Sequence, residues 1–195
     1  MELIPTITMK KREILNQKEE TDKIFNQLKE EDLIYILDLD GLEKDKPNLC
    51  TFQRLSKKYK LWLDYGPRTH GDVVDAFMAG AERVTIRNKL GPKINIIKLR
   101  EITENQIYTD INLEKQNNQA DKIFYKEADG LINLYNKEKM ELNNKYYEII
   151  NKYKTIKPIY SYEKQATNIQ YWKNLGIKGL LIDINKIEEF KKYDL

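Results

Sequence analysis

The chain has 195 residues and a net charge of +3, because 34 Lys and Arg residues face 31 Asp and Glu residues. This length supports one domain with a sizeable core, which we place over residues 1–195. Charges of both signs are interspersed, which argues against nucleic-acid and membrane-surface binding. No apolar run approaches the roughly 20 residues that span a bilayer, and a signal-peptide core is missing. We therefore expect a cytoplasmic protein.

The residues that commonly bind metals are scarce. Cys50 is the only cysteine and His70 the only histidine. One cysteine excludes an internal disulfide and a cysteine-rich zinc site, and it is typical of a reducing compartment. We expect Cys50 to pack in the core and His70 to lie in the solvated first turn of a helix. The sequence predicts neither a metal site nor a cofactor.

Short apolar runs alternate with amphipathic stretches along the chain, the pattern of a parallel α/β protein. An eighth strand is expected near residues 107–113, beside seven clearer ones. The clearer predicted strands are Leu3–Ile7, Leu33–Leu37, Leu61–Leu63, Arg83–Ile86, Gly130–Tyr135, Pro158–Tyr162 and Gly179–Ile182. Helices are predicted near residues 21–29, after Asn48, over 71–79 with Val73, Val74, Phe77 and Met78 inward, over 137–153, around Trp172, and through Phe190. A short helix or an irregular segment is expected near residues 94–102.

The spacing of these strands predicts a barrel. Successive strands lie about 22 to 28 residues apart, which is tight for a βαβ unit. Eight such units nearly fill the chain, so we expect a TIM (β/α)8 barrel, short or partly degenerate. Residues 61–86 and 157–182 also superpose without a gap at an offset of 96 residues. We interpret this echo as duplication of a half-barrel, with halves of about 1–92 and 93–195, although any two βα units echo each other.

Three motifs carry a resemblance to a known family: Leu-Asp-Leu-Asp-Gly at 37–41, Leu-Asp-Tyr-Gly-Pro-Arg at 63–68, and Ala-Gly-Ala-Glu-Arg-Val-Thr-Ile at 79–86. Together they resemble the histidine-biosynthesis isomerase and cyclase family (HisA/HisF), and most closely archaeal relatives of the isomerase. The likeness covers residues 1–90 well. It is thinner beyond them, where two later strands look like the seventh and eighth of the family.

The resemblance implies a barrel of two halves that binds a substrate phosphorylated at both ends on glycine-rich turns. It further implies an Amadori-type aldose–ketose isomerisation, in which carboxylates that end strands one and five act as acid and base. In this chain the strand-one position falls at Thr8. The strand-five position falls at Asn112 or, in a shifted alignment, at Asp110. We therefore expect the ancestral reaction itself to be absent.

The phosphate-binding positions implied by the family are also altered. The first site keeps Gly66, and its strand-four glycine falls at Arg87, which together with Arg68 could grip a phosphate bidentately. The second site has Glu163 and Asp183 where glycines are expected. Each carboxylate about 4 Å from a phosphate costs several kcal/mol. We therefore predict an anion site near Arg87 and none near Asp183.

Three carboxylates are candidate catalytic residues. Asp38 and Asp40 follow strand two and Asp64 follows strand three, at the end of a barrel where chemistry usually occurs. Asp38 and Asp40 could form a proton-transfer or metal-binding pair, and Asp64 could supply a carboxylate that contacts the substrate. Alternatively, Asp38 or Asp40 caps a turn, and Asp64 pairs with Arg68 to stiffen a loop.

Two functional hypotheses remain open from the sequence. The first is an isomerase-like enzyme that acts on a small phosphorylated metabolite, the expected partner. The alternative is a non-catalytic barrel that binds a ligand or a protein subunit, since fold alone does not decide function. Homo-oligomer formation also stays open. The basic run Lys10–Arg12 follows strand one and could meet an anionic substrate, although a solvated basic loop is the more ordinary interpretation.

Overall fold

The computed structural model describes residues 1–15, 28–91, 93–111, 119–135, 137, 140 and 144–193. Eight parallel strands form one closed sheet, in which each strand pairs with its neighbours in sequence and the last strand pairs with the first. The strands are β1 (Glu2–Lys10), β2 (Leu33–Asp38), β3 (Lys60–Asp64), β4 (Ala81–Ile86), β5 (Gln106–Asp110), β6 (Gly130–Asn133), β7 (Ile159–Glu163) and β8 (Gly179–Asp183). The predicted (β/α)8 barrel is confirmed, and all eight strands are present.

Helices connect the strands on the outside of the barrel. They are α1 (Leu39–Lys44), α2 (Leu49–Leu55), α3 (His70–Met78), α4 (Ile96–Ile102), α5 (Gln119–Glu127), α6 (Asn144–Tyr153), α7 (Ile169–Leu175) and α8 (Ile187–Tyr193). Short 3-10 helices at Ala166–Asn168 and Ile184–Lys186 precede α7 and α8. The helix predicted over 21–29 falls mainly on residues 16–27, outside the described residues, and the helix predicted over 137–153 is described continuously from Asn144.

Large side chains fill the interior of the barrel. Seven strands each contribute one buried residue to a single cluster; these are Ile4, Tyr35, Trp62, Tyr108, Ile132, Tyr160 and Leu181. The Trp62 ring lies at its centre, with ring centroids 4.2 Å from Tyr108, 4.9 Å from Tyr160 and 5.3 Å from Tyr35. From β4, the buried Thr85 accepts a hydrogen bond from Trp62 Nε1 at 3.0 Å. The interior is therefore a packed core and not a pore.

Glycines on neighbouring strands make room for the interior tyrosines. A Cβ on Gly130 would lie 2.4 Å from Cε1 of Tyr108, and a Cβ on Gly179 would lie 3.0 Å from Cε1 of Tyr160. In the sheet register Tyr108 pairs with Gly130 and Tyr160 pairs with Gly179, so each of these tyrosines meets a residue without a side chain on the next strand. This pairing explains why β6 and β8 begin with glycine.

The layer between the sheet and the helices corrects two sequence predictions. Val73 and Ala76 bury the inner face of α3, whereas Met78, predicted to point inward, is 78% exposed. On α2, Phe52 is the buried residue, and Cys50, predicted to pack in the core, is exposed. Both errors arise because these helices are short and bury only a narrow stripe.

The strand register does not follow the gapless sequence echo throughout. In the first half, Trp62 pairs with Arg83. In the second half, Tyr160 pairs with Gly179. An offset of 96 residues matches Arg83 to Gly179 but would match Trp62 to Pro158 instead of Tyr160. The two halves therefore share their architecture, but the register between β3 and β4, which shifts between Leu61 and Trp62, differs by two residues from the register between β7 and β8. Half-barrel duplication stays a prediction.

Candidate functional site

The carboxyl ends of the strands, here called the mouth of the barrel, carry a group of charged residues. Asp38, Asp64, Asp110 and Asp183 are the last residues of β2, β3, β5 and β8. Arg87 directly follows β4. Alternation from the interior cluster places Asp64, Asp110, Asp183 and Arg87 around a common opening, where barrel enzymes bind their ligands. Asp38 instead lies on the opposite face of β2 from Tyr35.

Asp64 and Arg87 form a tight ion pair in the mouth. Arg87 Nε donates to both carboxylate oxygens of Asp64 at 2.9 and 3.0 Å, and Nη2 donates to Oδ2 at 2.6 Å. Asp64 is 0% exposed and also accepts a hydrogen bond from the Tyr35 hydroxyl. Burial and the adjacent Asp64 charge raise the pKa of Tyr35 well above its usual value, so the phenol remains a donor. The predicted loop pair between Asp64 and Arg68 is not formed.

The side chain of Arg87 is only partly covered by this pair. Burial alone would lower its pKa, but the charges of Asp64 and Asp110 raise it further above the ordinary value, so the guanidinium stays charged. The side chain is 20% exposed. Within the described part of the chain, its Nη1 atom has no hydrogen-bond partner. Asp64 therefore fixes the orientation of Arg87 while one face of the guanidinium stays available.

Asp110 is the carboxylate next to this pair. Its Oδ1 accepts a hydrogen bond from the backbone N–H of Asn88 at 2.8 Å, and the Asn88 side chain is fixed by a 3.0 Å bond from the Thr109 hydroxyl. Burial raises the pKa of Asp110; the Arg87 charge opposes this rise and the Asp64 charge adds to it. Among the described residues, its Oδ2 has no hydrogen-bond partner. Asp110 shares the inward face of β5 with Tyr108, as expected from alternation.

Asp38 holds the loop after β2. Its carboxylate accepts hydrogen bonds from the backbone N–H groups of Asp40, Gly41 and Asn48 and from Asn48 Nδ2, at 3.1, 3.4, 2.8 and 2.8 Å. Burial raises its pKa although these bonds oppose the rise. The position of Asp38 as the N-cap of α1 matches the turn-capping alternative.

Asp40 anchors the segment after β1. It accepts hydrogen bonds from the backbone N–H of Lys11 and, at 3.3 Å, from Asn48 Nδ2. It also forms an ion pair with Lys44 at 3.4 Å. Partial burial raises the pKa of Asp40, but these bonds and the Lys44 charge outweigh it and lower the pKa overall. Its polar contacts are therefore to loop and helix residues.

Gly66 and Arg68 shape the loop after β3. Gly66 has a φ of 71°, and a Cβ there would lie 2.7 Å from the Leu90 side chain. Arg68 Nη1 donates to Asp45 at 2.6 Å and to the Gly66 carbonyl at 2.9 Å. Two further bonds reach the carbonyls of Gly41 and Leu42, both at 3.1 Å. Arg68 thus ties the loops after β2 and β3 together and does not converge with Arg87 on the same partner.

The first turn of α3 is built from its cap. Thr69 and Asp72 form a capping box. His70 is the first residue of the helix, as predicted, and its Nε2 accepts a hydrogen bond from the backbone N–H of Asn95 at 2.9 Å. This contact joins α3 to the start of α4.

The second half of the mouth is arranged differently. Glu163 is 3% exposed and accepts hydrogen bonds from Trp172 Nε1 at 2.7 Å, Asn168 Nδ2 at 3.1 Å and two backbone N–H groups after β7. Its carboxylate is thus directed at α7. Asp183 accepts from the backbone and the side chain of Asn185 at 2.9 and 3.0 Å. These contacts account for both carboxylates without a ligand.

Of the acid and base positions implied by the family resemblance, Thr8 and Asp110 lie among the described residues. Thr8 lies in β1 opposite Leu37 of β2. Asn112 lies outside the described residues. Asp110, which a shifted alignment nominates, ends β5 with its carboxylate beside Arg87. The end of β5 at Asp110 is what favours Asp110 over Asn112 as the strand-five carboxylate position. The sequence pattern predicts that this strand continues to about residue 113, which is too late.

No three His, Cys, Asp or Glu side chains form a metal-binding group in the part of the chain that the structure describes. Across the same residues, none of the helices is long and apolar enough to cross a membrane. In comparisons with known proteins, no family model matches the chain, and no curated protein matches it either.

Proposed function

We propose that this barrel binds a small phosphorylated metabolite at its mouth and carries out isomerase-like proton transfer on it. The observation that carries the proposal is the Arg87 guanidinium, oriented by Asp64 and partly open to the mouth. The resemblance to the histidine-biosynthesis isomerase and cyclase family points to the same class of ligand. The chemistry of the site and the sequence motifs thus favour one ligand type.

Arg87 suits a phosphate for geometric reasons. Guanidinium groups donate parallel hydrogen bonds to phosphate oxygens, and such charge-assisted bonds are about twice as strong as neutral ones. Asp64 restricts the side chain before a ligand arrives, so less conformational entropy is lost on binding. Arg68 is engaged with four oxygen acceptors, so in this proposal Arg87 is the main phosphate ligand and Gly66 shapes the neighbouring loop.

Asp110 is the group best placed to move a proton. A general base needs a pKa close to the working pH and a free oxygen in the site. Burial raises the pKa of Asp110 toward that range, and its Oδ2 has no partner among the described residues. Asp38, Asp40 and Asp64 are engaged by capping bonds or by Arg87, so the proton-transfer role predicted for them passes to Asp110 in this proposal. The reaction class is abstraction of a proton next to a sugar carbonyl.

Calorimetric titration with ribose 5-phosphate tests the binding step. Wild-type protein should bind this probe, and Arg87→Ala should bind at least tenfold more weakly, since a hydrogen bond to a charged group is worth about 1.5 to 3 kcal/mol. Arg54→Ala removes an exposed arginine of α2 and serves as the matched control. Equal affinity in wild type and Arg87→Ala would overturn the proposal.

A second candidate function is ligand binding without turnover. Thr8 at the strand-one position has no pKa near neutrality, so a second proton-transfer group is missing there. Exchange of the C2 proton of ribose 5-phosphate in D2O, followed by NMR, separates the two candidates. Exchange that Asp110→Asn abolishes supports catalysis, whereas binding without exchange supports the non-catalytic barrel.

A further inference from the structure

The segment after β1 folds back as a hairpin with a strained tip. Residues Lys10 and Glu13 pair across it, and the two residues between them, Lys11 and Arg12, have φ values of 53° and 65°. Consecutive positive φ values are what a tight two-residue hairpin turn requires, and Asn or Gly normally occupies them. Residues with long side chains are disfavoured there by the contact of Cβ with the backbone. The turn therefore keeps its two cationic side chains against their conformational preference.

Contacts with α1 hold the hairpin in this conformation. The backbone N–H of Lys11 donates to the Asp40 carboxylate. Lys10 Nζ pairs with Glu43 at 3.0 Å, and Asn48 Nδ2 donates to Asp40 at 3.3 Å. Because the Asp40 carboxylate fixes the backbone N–H of Lys11 and an exposed ion pair with Glu43 holds the Lys10 side chain, the tip is held in one position. Strained backbone that the surroundings over-determine is a recurring property of ligand-binding sites.

The side chains at the tip are cationic and lie near the rim of the mouth. Met9 pairs with Asp38, the last residue of β2, so the turn lies beyond the carboxyl end of that strand. The charge of Lys10 is balanced by Glu43. Lys11 and Arg12 are exposed and have no ion-pair partner among the described residues. Two cations at a rim, without a counter-charge in the part of the chain that the structure describes, raise the local concentration of anions.

We propose that Lys11 and Arg12 are ligand-contacting residues that bind the anionic group of a phosphorylated ligand from the β1 side of the mouth. This inference rests on the proposed function, in which Arg87 holds the ligand from the end of β4. It assigns a binding role to the hairpin and explains why the turn keeps Lys and Arg where Asn and Gly would fit the backbone better.

Two double variants separate charge from strain. In K11N/R12G the turn receives the residues that its backbone favours and loses both charges. In K11Q/R12Q the charges are lost and the disfavoured backbone stays. The control, K57N/K58N, removes two exposed lysines from the loop before β3, at the opposite end of the barrel. Ribose 5-phosphate is titrated by calorimetry at low salt, and the melting temperature of each variant is measured.

Both hairpin variants should bind ribose 5-phosphate about fivefold to thirtyfold more weakly, as expected for two partly screened cations. The control should bind like wild type. K11N/R12G should melt at or above the wild-type temperature, because its turn is no longer strained. K11Q/R12Q should melt at the wild-type temperature.

Affinity within twofold of wild type in the hairpin variants would overturn the inference. So would equal weakening in the control, or a melting temperature of K11N/R12G below that of wild type. Binding that is lost in Arg87→Ala but kept in the hairpin variants refutes this inference alone. Absence of binding by the wild-type protein refutes the proposed function as well.

Discussion

Two buried carboxylates at strand ends show how differently the halves of the barrel use the same kind of group. Asp64, in the first half, faces a guanidinium and a phenol in the mouth. Glu163, in the second half, faces an indole N–H, an amide and two backbone N–H groups at the start of α7. Asp64 shares the inward face of β3 with Trp62, whereas Glu163 lies on the opposite face from Tyr160. The face on which a strand-end carboxylate lies thus decides whether it organises a site or a helix.

The first prediction breaks the pair in the first half. Asp64→Ala should lower the free energy of unfolding by about 3 kcal/mol, the lower end expected when one partner of a buried ion pair is removed. Arg87 then lacks its counter-charge and the Tyr35 hydroxyl lacks an acceptor. Urea unfolding measures the change. Asp45→Ala, which removes the exposed partner of Arg68, is the matched control and should cost less than about 1 kcal/mol. Similar losses in both variants would contradict the distinction.

The second prediction compares anion binding in the two halves. Sulfate or phosphate soaked into crystals should bind near Arg87 and not near Asp183. Arg87 offers free N–H groups, whereas Asp183 offers a carboxylate at the corresponding strand end. A hydrogen bond from Arg87 to the anion is worth about 1.5 to 3 kcal/mol, a gain that the Asp183 carboxylate cannot provide. Anion density beside Asp183 would show that the asymmetry is wrong.

The third prediction tests the neutral environment of Glu163. Glu163→Gln should cost about 1 to 2 kcal/mol, because the amide oxygen of glutamine still accepts from one pair of N–H donors while its NH2 group faces the other pair. Glu163→Ala should cost more, since Trp172 Nε1 and two backbone N–H groups lose their acceptor. Urea unfolding of both variants gives the comparison. A Glu163→Gln loss as large as that of Asp64→Ala would mean that the charge of Glu163 matters as much as that of Asp64.

The fourth prediction concerns the pH dependence of stability that Asp110, next to the Asp64–Arg87 pair, should produce. Because the pKa of Asp110 is raised in the folded protein, the folded state binds more protons than the unfolded state above about pH 3.9. Its contribution to stability therefore falls as pH rises toward the folded-state pKa. Relative to wild type, Asp110→Asn should gain stability across this window and then level off above the folded-state pKa.

Unfolding curves between pH 4 and 8 measure the effect of Asp110→Asn. Asp75→Asn, at an exposed position of α3, is the control and should show no such rise. A constant difference between Asp110→Asn and wild type over the whole range would show that Asp110 does not titrate in this window.

The architecture was predictable because each strand is a short apolar run covered on both faces. The site was predictable only in part. Alternation along β3 and β4 places Asp64 and Arg87 at the mouth, but the choice of Arg87 over Arg68 as the partner of Asp64 depends on loop geometry. Similarly, the importance of Asp110 depends on where β5 ends, and strand ends are the least certain feature of a pattern.

Two errors have a common physical origin. The sequence predicts buried positions for Cys50 and Met78 because both are apolar, yet the helices that carry them are short. A short helix on the outside of a barrel buries about two residues, so an apolar residue beside that stripe is left in solvent. Composition alone does not distinguish the two positions.

Each half of the molecule contains one tryptophan, which can serve as an intrinsic fluorescent probe of its surroundings. Trp62 donates to Thr85 below the mouth, in the same cluster as Tyr35, which donates to Asp64. Trp172 donates directly to Glu163. Since these are the only tryptophans of the chain, each single-tryptophan form has fluorescence that reports on one half. Emission from Trp62 follows events at the mouth, and emission from Trp172 follows the seating of α7 on the barrel.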